Sequence, residues 1–266
     1  MNLRTLLAGT IPAEKQRYLR DSFDVIGDIA VVVVPPELAE FRQDIALAVM
    51  SIRRNIHTVV AKAAPVGHAD RVPRYEFLVG NSTVTEHREA GYRYRMDLSE
   101  VFFTGRLSTE HQRVARLVGA GERVLVPFCG VGPFVIPAAD RGALVPAVEN
   151  NPAAVRWLLE NLALNQVEDR VSVLASDAFG LTQADGAPFD RLICPTPYGK
   201  DEILGTLAPL VRGGGVLHFY TFKGDRQVEG LVRGFEEKGY TVLFHHRCGW
   251  VARGIGRYVF DLEKGA

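Results

Sequence analysis

From Thr109 onward the chain repeats one pattern: a short apolar run, a break marked by glycine or proline, then a stretch with helical apolar spacing. A chain that keeps returning to a strand after each helix is best satisfied by parallel strands joined by crossover helices. The expected fold is therefore α/β, a doubly wound Rossmann-like sheet. The pattern predicts a helix over Thr109–Val118, capped by Ser108 or Thr109. Strands follow at Arg123–Val126, Ala143–Val148, Val171–Ala175 and Arg191–Cys194, with a helix at Ala153–Asn165. A further helix, Glu202–Val211, is expected to stop at Gly213–Gly215. Val216–Thr221, Thr241–His246 and Tyr258–Leu262 complete the sheet, with a helix near Gln227–Lys238.

The regime before Thr109 is different. Strand-like runs at Ile29–Val34, Thr58–Val60, Tyr75–Val79, Asn81–Glu86 and Tyr92–Met96 surround one apolar-periodic helix, Leu38–Ile52. This reads as a small α+β module. The expected domains are an extension over 1–20, the module over 21–106, and a catalytic domain over 107–266.

Composition excludes several classes. The 31 basic residues balance 31 acidic ones, so no global field favours nucleic acid or membrane. Cys129, Cys194 and Cys248 show no CxxC spacing, which argues against a disulfide framework or zinc knuckle and fits a reducing cytoplasm. The start is charged too early for a signal peptide, and the longest apolar run, Ile29–Pro36, is far short of the ~20 residues a membrane span needs. A cytoplasmic protein without membrane partners is expected.

In a doubly wound sheet the ligand lies beyond the carboxyl ends of the strands, where strand order reverses. Four features fall there. The first strand is followed by Pro127-Phe-Cys-Gly130-Val-Gly132-Pro-Phe134, a turn whose glycines allow close backbone approach. It is too short for the dinucleotide GxGxxG pattern, and a plain strand-to-helix turn would look the same. Glu149 ends the second strand, 19 positions after Gly130, where an acid can accept bonds from both ribose hydroxyls; a helix-start acid is the alternative. Asp177 ends the third strand, where it can hold an adenine amine while the Ala178 amide meets a ring nitrogen; it would equally serve as an N-cap. Cys194-Pro-Thr-Pro-Tyr198 ends the fourth as a rigid, donor-poor loop. Taken as a set, these indicate S-adenosylmethionine rather than NAD.

At this point the sequence resembles a known family over nearly its whole length. The family contains the archaeal and eukaryotic tRNA guanine-37 N1-methyltransferases and the wybutosine-synthesis aminocarboxypropyltransferases. The matching stretches include Ser22–Ala30, Asn55–Thr58, Arg71–Gly80, Thr85–Gly91 and Val101–Glu110, which correspond to the family's RNA-contacting module. The match continues through Gly130–Phe134, Asn151-Pro152, Leu217–Thr221 and Arg257–Asp261. The extra N-terminal domain with which some members grip the tRNA elbow is not expected from the resemblance.

The resemblance implies a tRNA partner, bound at its anticodon loop, and S-adenosylmethionine as cofactor. It implies Glu110 as general base for the guanine N1 proton and Arg71 as the arginine that meets the base or its phosphate. Cofactor contacts would come from Thr104, His111, Phe128, Gly130, Gly132, Glu149, Asn150, Asp177, Ala178 and Pro195. Substrate contacts would come from Arg106, Pro197 and Tyr198. The sulfonium already activates the methyl carbon, so such an enzyme mainly aligns it with a nucleophile and removes one proton. On residues alone, Glu110 could be a first-turn helix acid and Arg71 a surface charge. Basic residues outnumber acidic ones between Arg53 and Arg106 and interleave with Tyr75, Phe77, Tyr92 and Tyr94, which suits phosphate contact and base stacking as well as a solvated mixed-charge face.

Three family positions differ. The acid at the end of strand one is Pro127, the asparagine of an Asn-Leu-Pro loop is Pro195, and the arginine after the Glu110 position is His111. Glutamate at 149 and the missing asparagine resemble the aminocarboxypropyl branch, whereas Gly132-Pro-Phe134 and His218–Thr221 resemble the methyltransferase branch. Methyl transfer to guanine N1 is the expected reaction. Aminocarboxypropyl transfer to the tricyclic wybutosine precursor is the alternative. A repurposed paralogue acting on a small molecule or protein, or a non-catalytic cofactor-binding module, is a third reading.

Overall fold

The computed structural model describes residues 2–62, 74–252 and 254–265, arranged as two compact units, Met1–Gly105 and Arg106–Ala266. In the first unit a short helix α1 (Leu3–Leu6) precedes β1 (Asp24–Ile26) and β2 (Ile29–Val32). Helix α2 (Arg42–Ile52) then crosses to β3 (Thr58–Lys62), which lies parallel to β2, and β4 (Tyr75–Val79) closes a sheet of order β1-β2-β3-β4. The expected helix over Leu38–Ile52 is divided, because Pro36–Phe41 forms a 3₁₀ turn before α2 begins. Leu3, Leu7, Ile11 and Leu19 are buried in one cluster with Leu38, Ile45 and Val59, so the first 20 residues form part of this unit's core.

A separate hairpin pairs β5 (Val84–Glu89) with β6 (Tyr92–Asp97). Its turn residues Ala90 and Gly91 both have positive φ, 51° and 91°, which a two-residue hairpin matching strand twist requires. Thr85 ties the hairpin to the β1–β2 turn, its hydroxyl donating to Asp28 Oδ1 at 2.6 Å.

The second unit follows the alternation. Its elements are α3 (Ser108–Leu117), β7 (Val124–Pro127), α4 (Val135–Asp140), β8 (Val145–Glu149), α5 (Pro152–Leu164), β9 (Val171–Ala175), β10 (Phe189–Cys194), α6 (Ile203–Leu207), β11 (Val211–Lys223), α7 (Val228–Glu236), β12 (Tyr240–Ala252) and β13 (Ile255–Lys264). The strands form one sheet of order β12-β13-β11-β10-β7-β8-β9. Strands β11, β10, β7, β8 and β9 run parallel, and β13 inserts antiparallel between β11 and β12. The chain runs outward from β7 to β9 on one side and from β10 to β11 on the other. The order therefore reverses between β7 and β10, and their carboxyl ends frame the crevice.

Two expectations need correcting. Helix α3 starts at Ser108 with Leu107 as N-cap, so neither Ser108 nor Thr109 caps it, and no side chain does. The helix expected to end at Gly213–Gly215 ends at Leu207, with a 3₁₀ turn through Leu210. The glycines lie inside β11, where the pairing jumps from Phe189↔Val211 to Arg191↔Val216 and the extra residues form a bulge. Val211 pairs with β10 instead of extending the helix, because burial in the sheet outweighs helical spacing. Both long final strands also exceed their expected lengths, since cross-strand pairing carries them through polar residues that break the apolar pattern.

Gly132 opens the turn to α4 at φ +99°, and a Cβ there would lie 2.7 Å from Leu158 Cδ1 on α5. Gly132→Ala should therefore cost about 1–3 kcal/mol of stability. Urea denaturation checks this, and an unchanged midpoint would show that the turn relaxes freely.

Candidate active site

The turn after β7 is built on left-handed backbone. Phe128, Gly130 and Gly132 have φ of 53°, 55° and 99°. Phe128 adopts this conformation without being glycine, at an energetic cost that surrounding contacts must offset. Glu149, at the end of β8, holds the turn: its Oε2 accepts from the Gly130 amide at 2.9 Å, and its Oε1 accepts from Asn150 and Asn151 at 3.0 and 2.9 Å. Ribose-type acid and glycine turn are thus one hydrogen-bonded unit. A carboxylate has about four acceptor sites, so one remains on Oε2 for a ligand hydroxyl.

Glu149 pairs in register with Ala175 on β9, and Asp177 follows two residues beyond. The two acids stand at the ends of adjacent strands, spaced as ribose and base contacts of one nucleoside would be. Asp177 caps the short 3₁₀ turn Ala178–Gly180, its Oδ1 accepting from Phe179 N at 3.0 Å, and it remains exposed. Ala178 is buried in the core. Phe128 and Phe179 approach edge to face at 6.3 Å beside this pair. Exposed Asn150 contributes its amide to Glu149.

The loop after β10 is fastened at two points. Thr196 is buried and donates to the Cys194 carbonyl at 3.3 Å. Asp201 accepts from the buried Thr221 hydroxyl at 2.9 and 2.8 Å and pairs with Lys223 at 2.5 Å. Pro195 and Pro197 are half-buried between these anchors. Tyr198 projects, 60% exposed, with its ring 5.2 Å from Phe222.

The sheet's α3 face carries three successive cross-strand rows, read across β11, β13 and β12: His218–Asp261–Phe244, Tyr220–Val259–His246, and Phe222–Arg257–Gly249. Directly opposed residues share a face, and positions two apart along a strand share it too. Glu110, only 2% exposed, comes down onto this face from α3. Tyr220 donates to its Oε2 at 2.9 Å, Arg113 Nε donates to both its oxygens at 3.1 Å, and His246 Nε2 lies 3.2 Å from Oε1. Tyr220 and Arg113 anchor the carboxylate, and His246 stands at ion-pairing distance from it.

Arg113 continues to Asp261 at 2.6 and 3.1 Å, Asp261 Oδ1 meets His218 Nδ1 at 2.7 Å, and His218 Nε2 meets Arg191 at 2.8 Å. Arg191 ends the chain on Glu122 at 2.7 and 3.1 Å. Burial disfavours charge on Asp261, but the bonds from His218 and Arg113 outweigh it and hold the carboxyl at about 2. Burial dominates at His218 and lowers its pKa despite the Asp261 contact.

His111 packs edge to face on Phe134 at 4.5 Å, and Phe134 lies 5.3 Å from Tyr220. One aromatic line therefore joins the glycine turn to the Glu110 pocket. Of the remaining expected residues, Arg106 is exposed at the start of this unit and Thr104 is half-buried in the first unit. Arg71 lies outside the described residues. Sequence reading missed Arg113, Tyr220, His246, His218 and Asp261 as parts of the site. His218 and Asp261 carried a signal, since each is a polar residue inside an otherwise apolar strand.

A doubly wound, mostly parallel sheet with an acid-tethered glycine turn at the reversal of strand order defines a Rossmann-like α/β fold. The TRM5/TYW2 methyltransferase domain family matches residues 85–243, and the TYW2 N-terminal domain family matches residues 3–83. The chain belongs to the TRM5/TYW2 family. It is 36% identical to the tRNA (guanine(37)-N(1))-methyltransferase Trm5b of Pyrococcus abyssi over 80% of its own length, and spans 63% of that protein. It is 29% identical to the tRNA(Phe) (4-demethylwyosine(37)-C(7)) aminocarboxypropyltransferase of Pyrococcus horikoshii, over 98% of this chain and 95% of that one. Among solved structures, the aTrm5 chain from its complex with tRNALeu superposes with a TM-score of 0.89 at 26% identity, covering all of this chain and 78% of that one.

Asp261→Asn would leave Arg113 and His218 without their shared partner, and should cost about 3–5 kcal/mol at pH 7. Asp261 is depressed in the fold, so its contribution is complete above the unfolded value of about 4 and is lost as pH falls through about 2. His218 is also depressed, so stability should begin to decline as pH falls below about 6.5. Urea midpoints for both proteins from pH 8 to 3 test this; a wild-type curve flat from pH 7 to 5 would refute the His218 contribution.

Proposed function

We propose that this protein transfers the methyl group of S-adenosylmethionine to N1 of guanine 37 in tRNA, acting at the anticodon loop in the cytoplasm. The observation that carries the reading is the buried Glu110 carboxylate, joined through Tyr220, Phe134 and His111 to the glycine turn that begins the nucleoside cradle. The residues fit the cofactor: Gly130 and Gly132 open the backbone, Glu149 keeps one acceptor site for ribose, and exposed Asp177 keeps Oδ2 for an adenine amine. The Phe128 and Phe179 rings supply an apolar wall. When bound, the cofactor supplies an electrophilic methyl carbon.

The chain's own task is to hold guanine and take its N1 proton. Glu110 is enclosed by Tyr220, Arg113 and His246, so a substrate N–H reaches it only when one of them yields. His246 is the partner that can yield, because its side chain is 36% exposed whereas Tyr220 is sealed in the core. Arg113 and Tyr220 then keep the carboxylate oriented while N1–H takes the His246 position. A donor facing O6 would stabilise the charge that develops on the base. The resemblance assigns that role to Arg71. Tyr198 and Pro197 form the rigid rim against which a splayed base stacks.

A second reading, aminocarboxypropyl transfer, is favoured by the match of residues 3–83 to the TYW2 N-terminal domain and by the near full-length alignment with the P. horikoshii transferase. The two readings separate with tRNA bearing guanosine or its tricyclic derivative at position 37 and cofactor labelled either in the methyl or in the methionine carboxylate. Methyl label in guanosine-37 tRNA is the expected result, and carboxylate label in RNA would move the protein to the second reading. Glu110→Gln should lower turnover by about 10²–10⁴-fold with cofactor affinity unchanged. Retained turnover would remove Glu110 as the base.

A further inference from the structure

Among the described residues, the third row of the α3 face contains a cation with no carboxylate partner. Arg257 sits between Phe222 on β11 and Gly249 on β12. Its guanidinium lies over the Phe222 ring at 4.8 Å, and the opposite neighbour is Gly249, where a Cβ would meet no atom within 4 Å apart from its own chain neighbours. The arginine is therefore packed by a ring on one flank and faces a residue without a side chain on the other. Tyr198 extends the row beyond Phe222, giving the sequence Tyr198, Phe222, Arg257, gap.

Three other cations of these elements have carboxylate partners. Lys223 pairs with Asp201, Arg247 with Asp225, and Arg113 with Asp261 and Glu110. For Arg257, among the described residues, no carboxylate lies within ion-pairing distance. Burial lowers its pKa, and the ionisable groups that could oppose this are Cys248 and Tyr220. Burial pushes the Cys248 thiol up to about 12 and raises the Tyr220 phenol, so neither carries negative charge at neutral pH. A half-buried charge without a partner costs free energy that an incoming anion would return. The neighbouring row holds Tyr220 and His246, the two sheet residues that contact Glu110, so the gap lies one pleat from the reacting base.

We propose that Arg257 is a substrate-positioning residue that binds a backbone phosphate of the RNA strand in the gap over Gly249, while the base stacks beside Tyr198. This rests on the RNA reading above. The fork of the guanidinium matches two phosphate oxygens, and Phe222 holds its plane. The anchor fixes the nucleotide by its backbone and leaves recognition of the base to the Glu110 pocket. The second possible source of an anion is the methionine carboxylate of the cofactor; the nucleoside contacts lie at β7–β9, with β10 and β11 between them and Arg257.

The test uses the full chain in four forms: wild type, Arg257→Gln, Arg257→Lys and Gly249→Glu. Gly249 lacks a positive φ and has open space, so the glutamate is accommodated and supplies Arg257 with an internal partner that blocks the gap. Measurements are tRNA affinity at several salt concentrations, KM and kcat for tRNA, and calorimetric affinity for S-adenosylmethionine. Arg257→Gln should weaken tRNA binding about tenfold or more. It should also flatten the salt dependence by about 0.7–0.9 in log–log slope. Most of the loss should appear in KM, with cofactor affinity unchanged. Arg257→Lys should recover part of the affinity. Gly249→Glu should reproduce the weakening without lowering the melting temperature. If wild type binds tRNA and both Arg257→Gln and Gly249→Glu bind it equally well, the proposal fails while the RNA reading stands. If cofactor affinity falls instead, the arginine serves the methionine carboxylate and the proposal is overturned. If wild type itself binds no tRNA, both fall together.

Discussion

The second unit depends on one buried carboxylate. Asp261 sits in the middle of β13, the antiparallel strand wedged between β11 and β12, and accepts from Arg113 on α3 and His218 on β11. Two cationic or potentially cationic side chains could not otherwise be buried there, since each would lose its hydration without compensation. Through these contacts a helix that precedes the sheet in sequence is pinned to the last strand of the chain. Because Arg113 also holds Glu110, the position of the candidate base is set by the same interaction that locks β13 into place. Stability and catalytic geometry share atoms here, so mutations in β13 should affect both.

The nucleoside side is organised by a smaller version of the same device. Glu149 uses one oxygen to close the glycine turn and the other to fix the start of α5 through Asn150 and Asn151. A ligand at Glu149 therefore meets a carboxylate already oriented by three backbone amides, and little ordering remains to be done on binding. The loop after β10 follows this logic with different chemistry. Asp201 fastens it to Thr221 and Lys223, so the exposed Tyr198 ring is presented from an immobile base. Preorganisation on rigid elements is what a transfer reaction needs, because its rate depends chiefly on alignment.

The sequence made the α/β alternation legible because the parallel strands are short apolar runs set between polar or turn-forming residues, and Val171–Ala175 matches its strand to the residue. The ends of β11, β12 and β13 were not legible. Antiparallel pairing carries these strands through residues such as Arg257 and His246, whose polarity breaks the pattern but whose cross-strand partners sustain it. Glu149 and Asp177 could be found by spacing, since their places are fixed by where strands end. The surroundings of Glu110 could not, because Tyr220, His246 and Arg113 come from three elements up to 136 residues away and meet only through sheet register and the packing of α3. Helix capping was misread at Ser108 because a competent capping residue does not cap when the preceding turn already supplies the entry geometry.

Glu110 and Arg257 stand one pleat apart with opposite electrostatic conditions. The carboxylate is enclosed by Tyr220, Arg113 and His246, whereas the guanidinium has an aromatic ring on one flank and a glycine on the other. A ligand that neutralised the arginine alone would leave the carboxylate enclosed. One that displaced His246 alone would leave the arginine uncompensated. A nucleotide brings both halves at once, an anionic phosphate and a base edge carrying an N–H, so the two sites are satisfied together by a single covalent object. With the proposed roles, that coupling would discriminate against free bases, which lack the phosphate, and against other polyanions, which lack the donor. It also places selectivity in the spacing of two rows of one sheet, a distance that β-pairing holds more firmly than any loop could.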